Sequence, residues 1–209
     1  MKLPDFTYEK PLWEKNYSVI GIDEVGRGAF AGPVGIGGVV FEKITNKDQE
    51  YLLSLGINDS KKLTPKKRLE ISVVLKQICT YSVEYIDVKT INNIGIGKAT
   101  FLGMERVVDS LCCKLPTTKL FSLIDAFKVP GLKIPQKGIV RGDSLSISIA
   151  AASIIAKVER DRLMEELDLQ FRNYGFDKNK GYGTKYHRTA LKEFGSTIHH
   201  RNDFVAAYI

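Results

Sequence analysis

The chain has few cysteines and histidines, and it has no long hydrophobic run. It contains three cysteines, Cys79, Cys112 and Cys113. An odd number without C-x-x-C spacing argues against a disulfide framework or a zinc site, so we expect small buried thiols in a reducing cytosol. No apolar stretch approaches the roughly 20 residues of a membrane span, and the N-terminus lacks the apolar region of a secretory signal. These absences favour a cytoplasmic protein without membrane contacts.

The length, composition and charge favour a basic globular protein. The chain has 209 residues, of which 44% are hydrophobic and 26% charged, and its net charge is +7. This length suits a single domain, 1–209, which we divide into a core at about 17–168 and a helical cap at about 169–209. A basic protein favours polyanionic partners, although the charge alone is weak evidence for nucleic-acid binding.

The apolar pattern alternates between strands and helices. We predict strands at 17–23, 34–41, 81–86 and 120–125, and helices near 65–79, 98–113, 144–168 and 189–194. Residues 1–16 are expected to be a loose lead-in. In the first helix Leu69, Val73, Val74 and Ile78 recur at helical spacing. In the long third helix the small residues 150–153 allow a close approach to a sheet. The pattern predicts an α/β fold with helices on the faces of a sheet.

Four acidic residues lie at or near the ends of apolar segments. Asp23 and Glu24 end the first strand, Asp125 ends the strand at 120–125, and Asp143 precedes the long helix. Carboxylate oxygens suit hard divalent cations, and four of them suit two Mg²⁺ or Mn²⁺ ions roughly 3.5–4 Å apart. Three of these acids also have a structural alternative: a cap or a surface ion pair for Asp23 and Glu24, and a helix N-cap for Asp143.

A basic and glycine-rich group of residues accompanies the acids. In Gly26-Arg27-Gly28 two glycines flank one cation, which favours close approach of the backbone to a ligand, such as a ribose hydroxyl, although a simple turn is the alternative. Lys61 and Lys62 are candidates for phosphate binding or are solvated lysines before a helix. Tyr182, between two glycines, can stack on a sugar or base or pack on the core.

The remaining polar residues of interest are assigned structural roles. His187, His199 and His200 are not expected to be metal ligands, because hard ions prefer oxygen, and the pair at 199–200 suits surface or packing positions. Asp161, in the long helix, has the spacing of a salt bridge with a nearby lysine or arginine.

These residues together resemble the ribonuclease HII family, the type 2 ribonucleases H. The shared segments follow one another along nearly the whole chain: GIDEVGRG (21–28), AGPV (31–34), NDSKKL (58–63), LIDA (123–126), RGDSLSISIAAASIIAKVERD (141–161), YGF with KGYGT (174–184) and FG with HHR (194–201). The resemblance implies an RNase H-like fold, with a central mixed β-sheet flanked by helices and a helical C-terminal extension.

The resemblance also implies an activity. It implies a metal-dependent endonuclease that cuts the RNA strand of RNA–DNA hybrids, and cuts 5′ of single ribonucleotides in duplex DNA, leaving 3′-hydroxyl and 5′-phosphate ends. By resemblance the metal-binding acids are Asp23, Glu24, Asp125 and Asp143. The segment Gly26-Arg27-Gly28 reads the 2′-hydroxyl, and Tyr182 senses the RNA–DNA junction.

The chain departs from the family pattern at Ala29, where proline is frequent, at Ala126, where glycine is usual, and at Arg141, where lysine is usual. None of these removes an acid. Two alternatives stay open: a catalytically silent nucleic-acid-binding module on the same fold, and a different two-metal enzyme that cuts DNA. We expect a monomer. No clamp-binding tail is evident, because the apolar segment 204–209 could equally pack on the core, so a sliding clamp stays an open partner.

Overall fold

The computed structural model describes residues 3–42, 44–116 and 119–209. In this part of the chain a five-stranded sheet has the order β3-β2-β1-β4-β5. β1 pairs antiparallel with β2 and parallel with β4; β3 is antiparallel to β2, and β5 is parallel to β4. The strands are β1 (Ser18–Val25), β2 (Val34–Val40), β3 (Thr80–Ile86), β4 (Leu120–Asp125) and β5 (Gln136–Ile139).

Helices cover both faces of the sheet. They are α1 (Lys10–Trp13), α2 (Asn46–Ser54), α3 (Pro65–Ile78), α4 (Val88–Ile94), α5 (Ile96–Lys114), α6 (Ile147–Asp168), α7 (Phe176–Asn179), α8 (Lys185–Phe194) and α9 (Asn202–Val205), with 3₁₀ turns at Gly142–Ser144 and Arg172–Tyr174. α5 packs its apolar side on one face of the sheet, and α6 packs on the other together with α2 and α3. The predicted α/β class, a mixed sheet flanked by helices, is confirmed. No helix in the described ranges is long and apolar enough to cross a membrane.

α6 lies unusually close to the sheet. A Cβ atom added at Gly21 would lie 2.0 Å from the carbonyl carbon of Ser148, and one at Gly37 would lie 2.5 Å from the carbonyl oxygen of Ala152. Glycine in the strands and alanine in the helix therefore permit backbone-to-backbone contact. The predicted close approach is confirmed, and it fixes α6 against the end of β1 that carries the acids.

The described part of the N-terminal segment is not a loose lead-in. Phe6 is 2% exposed and packs against Trp13, and Glu9 is fully buried. Glu9 Oε1 accepts hydrogen bonds from Ser146 Oγ at 2.5 Å and from the backbone N–H of Ser148 at 3.1 Å. The prediction was wrong because a few apolar residues and one carboxylate find partners far along the chain.

Three further local predictions differ from the structure. Asp143 does not cap the long helix: it lies in the 3₁₀ turn, and α6 begins at Ile147 with Ser146 as its N-cap. The helix predicted near 65–79 is present, but the residues whose spacing indicated it are not its buried face: Leu69, Val73 and Ile78 are exposed and Val74 is half-buried. The helix near 189–194 is longer than predicted, since the Thr184 side chain caps it at residue 185.

The end of α6 and the segments after it form a further, smaller core. Met164, Phe176, Leu191 and Val205 are its central residues, and Ala31 joins them from the loop between β1 and β2. Thus the C-terminal helices contact the loop that follows the acidic end of β1. The division of the chain at 168 stays a prediction.

Candidate functional site

Three chain segments bring the four acids to one edge of the sheet. Asp23 and Glu24 lie near the end of β1, and Asp125 ends β4, its parallel neighbour. The carboxyl ends of parallel strands meet at the same edge. Asp143 joins them because the backbone N–H of Gly142 donates a 2.6 Å hydrogen bond to Asp125 Oδ1.

The acids influence one another electrostatically. Burial, followed by repulsion from Glu24, raises the pKa of Asp23 well above its usual range. Burial also raises the pKa values of Glu24, Asp125 and Asp143, and Arg27 partly offsets the rise for Glu24. Crowded and desolvated carboxylates disfavour their own charged forms. A cation among them would remove that penalty.

The donor set fits a hard divalent cation. All four candidates offer carboxylate oxygens, and Glu24 Oε2 is buried without a hydrogen-bond partner in the described structure. Such an unpaired oxygen is costly unless a partner binds it. Within the described ranges, no three Asp, Glu, His or Cys side chains already have the spacing of a metal shell. The chemistry of the donors, rather than a preformed shell, is therefore what fits the ion.

A cavity of about 400 Å³ adjoins the acids. Three of the predicted substrate-binding groups line it: the segment 26–28, Lys61 and Tyr182. Burial lowers the pKa of Lys61, but the carboxylates, Asp23 first, outweigh that effect and the pKa is raised. A lysine ammonium and carboxylates therefore share this cavity.

Lys62 is not among the residues that line the cavity. Its Nζ donates a 2.9 Å hydrogen bond to Ser144 Oγ and lies 3.6 Å from Asp59 Oδ2. Lys62 therefore lies beside the 3₁₀ turn that carries Asp143. Asp161 makes the expected ion pairs, at 2.6 Å to Lys157 and 3.5 Å to Arg68.

The glycine-arginine-glycine segment adopts a backbone that requires glycine at its first position. Gly26 has a φ of +77°, and a Cβ there would lie 2.1 Å from Nε of Arg160. Gly28 is exposed with open space around it, so a ligand can approach its backbone. The Arg27 guanidinium lies over the Phe127 ring at 4.6 Å and 3.8 Å from Glu24, directed towards the acids.

Two buried arginines support this loop from behind, and the sequence did not single them out. Arg160 donates to the carbonyls of Pro33, Lys180 and Ala31, and Arg201 donates to those of Gly32 and Arg27. Neither makes an ion pair with a carboxylate in the described structure. Burial, then repulsion from Arg160, lowers the pKa of Arg201 to about 9, so it stays protonated at neutral pH.

The neighbours of Arg160 in the sequence are charged, so this part of the long helix was expected to face solvent. The only indication in the sequence was that Arg160 and Arg201 lie in two segments shared with the family, the one that ends in KVERD and the one that ends in HHR. The Arg160 guanidinium joins the loop after β1 to Lys180, close to Tyr182, whereas the Arg201 guanidinium links two carbonyls within that loop.

The sequence is similar to one family along most of its length. The family model described as Ribonuclease HII matches residues 20–207. Ribonuclease HII of Ehrlichia canis (strain Jake) is 45% identical over 206 residues, which cover 97% of this chain and 94% of that protein. Ribonuclease HII of Wolbachia pipientis subsp. Culex pipiens (strain wPip) is 45% identical over 204 residues, with 98% and 97% covered.

The fold is similar to solved structures of proteins named RNase HII and RNase HIII. Ribonuclease HII in the PCNA complex from Archaeoglobus fulgidus matches with a TM-score of 0.71 and 26% identity, over 88% of this chain and 93% of that one. The Bst-RNase HIII crystal structure in complex with Mn²⁺ matches with a TM-score of 0.68 and 20% identity, over 88% of this chain and 64% of that one. The second likeness shows the fold alone, and the predicted RNase H-like fold is confirmed.

Proposed function

The chain belongs to the ribonuclease HII family and is a ribonuclease H that acts on RNA–DNA hybrids, and from that premise we propose its cleavage site and mechanism. It hydrolyses the RNA strand of hybrids and also cuts 5′ of a single ribonucleotide in duplex DNA, leaving 3′-hydroxyl and 5′-phosphate ends. Two divalent ions, Mn²⁺ or Mg²⁺, support the reaction. The expected location is the cytoplasm.

The observation that carries this proposal is that the cluster of four acids lies next to the cavity. The acids Asp23, Glu24, Asp125 and Asp143 are proposed to hold the two ions. Glu24 also lines the cavity that contains Gly28 and Tyr182. A ribose whose hydroxyl meets the loop backbone therefore has its phosphodiester beside the carboxylates. A nuclease without sugar selectivity has no need of this arrangement.

When bound, a pair of divalent ions activates a water molecule and stabilises the leaving oxygen. The residues of this chain orient the substrate around that chemistry. The exposed backbone of Gly28 is proposed to meet the 2′-hydroxyl, which distinguishes RNA from DNA. Lys61 supplies a positive charge for a phosphate, and the Tyr182 ring stacks at the RNA–DNA junction.

The segment 204–209 does not supply a free clamp-binding tail. Val205 is buried, and the Tyr208 ring packs against Phe30 at a centroid distance of 5.3 Å. The Archaeoglobus fulgidus relative was solved in a complex with PCNA. For this chain we keep a sliding clamp as a candidate partner through another surface, and a monomer as the expected state.

The proposal is tested on a DNA duplex with one ribonucleotide, beside an all-DNA duplex of the same sequence and a long hybrid. Each substrate is incubated with Mn²⁺, Mg²⁺ or a chelator. We expect a metal-dependent cut 5′ of the ribonucleotide and an intact all-DNA control. Cleavage of the all-DNA duplex would refute ribose selectivity, and binding without cleavage under every metal condition would identify a silent binding module.

A further inference from the structure

A pair of buried histidines lies directly beneath the segment that carries Tyr182. His187 is 0% exposed and His200 is 1% exposed, and their Nε2 atoms are 3.0 Å apart. The rings of Phe30, Tyr174 and Phe176 surround the pair. Burial lowers the pKa of both histidines, that of His200 to about 4. Both rings are therefore neutral at physiological pH.

The hydrogen bonds fix which nitrogen of each ring carries the proton. The backbone N–H of Thr197 can only donate, and it lies 2.9 Å from Nδ1 of His200, which must accept. Neutral His200 then carries its proton on Nε2 and donates it to Nε2 of His187. His187 in turn carries its proton on Nδ1 and donates it to the carbonyl oxygen of Tyr182 at 3.0 Å. Because the Thr197 N–H can only donate and the Tyr182 carbonyl can only accept, the hydrogen bonds through the two rings can run in one direction only.

The hydrogen-bond chain ends on the Tyr182 carbonyl, and the loop after β1 also binds this segment. Gly181, adjacent to Tyr182, accepts backbone hydrogen bonds from Phe30 at 2.8 Å and from Ala31 at 3.2 Å. The loop after β1 thus supports the segment from one side and His187 supports it from the other. Lys180 has a left-handed φ of 50°, which is costly for a residue with a Cβ, so this backbone benefits from such support.

We propose that His187 and His200 are positioning residues for ribonucleotide recognition: their directed hydrogen-bond chain sets the place of the Tyr182 ring in the cavity. This inference rests on the proposed function of Tyr182 at the junction. The histidines touch neither the substrate nor the carboxylates. Other titratable or charged groups near the pair are His199, which acts on His200, the Tyr174 hydroxyl, which donates to Gly195, and the buried guanidinium of Arg201.

Two substitutions of His187 separate the positioning role from simple packing. Asparagine places its amide nitrogen near the position of Nδ1 and can still donate to the Tyr182 carbonyl, whereas glutamine places its amide near Nε2 and cannot. Both remove the aromatic ring. We expect His187→Gln to lower kcat/KM on the single-ribonucleotide duplex by roughly tenfold more than on a long hybrid, because a small misplacement of a substrate-contacting group is costly. His187→Asn should keep the wild-type ratio of the two substrates.

Tyr182→Ala provides the reference for that comparison. If Tyr182→Ala lowers the ratio and both His187 variants behave alike, the positioning role is wrong while the function of Tyr182 stands. If Tyr182→Ala leaves the ratio unchanged, the proposed function of Tyr182 is wrong and the positioning role is overturned with it. In the Tyr182→Ala background, His187→Gln should cause no further loss of selectivity.

A second measurement tests the hydrogen-bond chain in the unmodified protein, whether or not the variants fold. Nitrogen-15 NMR of labelled histidine distinguishes the two neutral tautomers. We expect His187 with its proton on Nδ1 and His200 with its proton on Nε2 at pH 7. The opposite tautomer at either ring would overturn the proposal.

Discussion

Asp125 accepts a hydrogen bond from the backbone N–H of Gly142, and this 2.6 Å contact joins two of the segments that carry acids. One carboxylate oxygen of Asp125 is thereby held by the turn that carries Asp143. Asparagine at this position retains an oxygen that can accept the same hydrogen bond. The structural and electrostatic contributions of Asp125 can therefore be separated by one substitution.

Asp125→Asn should abolish cleavage and retain binding of the hybrid. The loss of a ligand charge removes several kcal/mol of transition-state stabilisation, so we expect a fall in kcat of roughly 10³-fold or more. Single-turnover cleavage and a binding titration measure the two effects. Asp109→Asn, an exposed position on α5, is the matched control and should behave as wild type. Full activity of Asp125→Asn would remove Asp125 from the site.

Asp23→Asn should make the metal-free protein more stable, because it removes a carboxyl group whose ionisation is disfavoured by burial and by three other carboxylates. We expect the free energy of unfolding to rise by about 1–2 kcal/mol in chelator, a typical gain when a functional but unfavourable group is replaced. Urea unfolding measures this, with Asp109→Asn again as the control. Added Mn²⁺ should raise the stability of the wild type more than that of the variant. A less stable variant in chelator would contradict the prediction.

Ala126→Gly should stabilise the protein, because Ala126 has a left-handed φ of 58° directly after Asp125. This conformation costs a residue with a Cβ about 1–2 kcal/mol. Glycine removes that cost, but its greater conformational entropy in the unfolded chain offsets part of the stabilisation. The expected net effect is about 0.5–1 kcal/mol in urea unfolding. Ala206→Gly is the control, since its φ is −51° and the same substitution there should be neutral or destabilising. Equal effects at the two positions would show that no strain is released.

Arg201→Met should destabilise the fold and impair cleavage together. The carbonyls of Gly32 and Arg27 would lose their donors, and each buried unsatisfied group costs about 1–3 kcal/mol. We expect a loss of about 2–5 kcal/mol in urea unfolding. Arg106→Met, on the exposed side of α5, should change stability by less than about 0.5 kcal/mol. A mild effect of Arg201→Met would mean that water replaces the guanidinium at both carbonyls.

Stability should fall as the pH decreases from about 6.5 towards 4. The pKa of His200 is about 4 in the folded protein and near 6.5 when unfolded, so within this window only the unfolded state gains the proton. The contribution reaches about 1.4 kcal/mol per pH unit at most. His200→Gln should flatten the pH dependence of the free energy of unfolding in urea. The acidic residues contribute equally to the wild-type and variant profiles, so the difference between the two profiles reports His200. Parallel curves would exclude His200 as the titrating group.

Features that depend on local sequence were predictable, whereas those that depend on distant partners were not. Asp23 and Asp125 were identifiable because each follows an apolar strand, and the parallel pairing of those strands then brings them to one edge. The helix predicted near 65–79 begins at Pro65, where the Thr64 side chain caps it. In each case the determining residues are neighbours in sequence.

The face of α3 illustrates the opposite case. Periodicity indicated a helix but selected Leu69, which is 54% exposed, whereas Arg68 is buried. Arg68 is tolerated inside because its guanidinium donates to the carbonyls of Ser60 and Leu63 and pairs with Asp161. A buried arginine is stable only with such partners, and no local pattern reveals them. The same reason concealed Arg160 and Arg201.

The contact between Arg201 and the carbonyl of Arg27 spans 174 positions in the sequence. During synthesis from the N-terminus, the strands that carry Asp23 and Asp125 emerge long before the residue that completes the loop beside them. A nascent chain therefore contains the strands of its acidic edge before it contains the guanidinium that supports the loop after β1. The carbonyls of Gly32 and Arg27 gain this donor only after residue 201 has been synthesised.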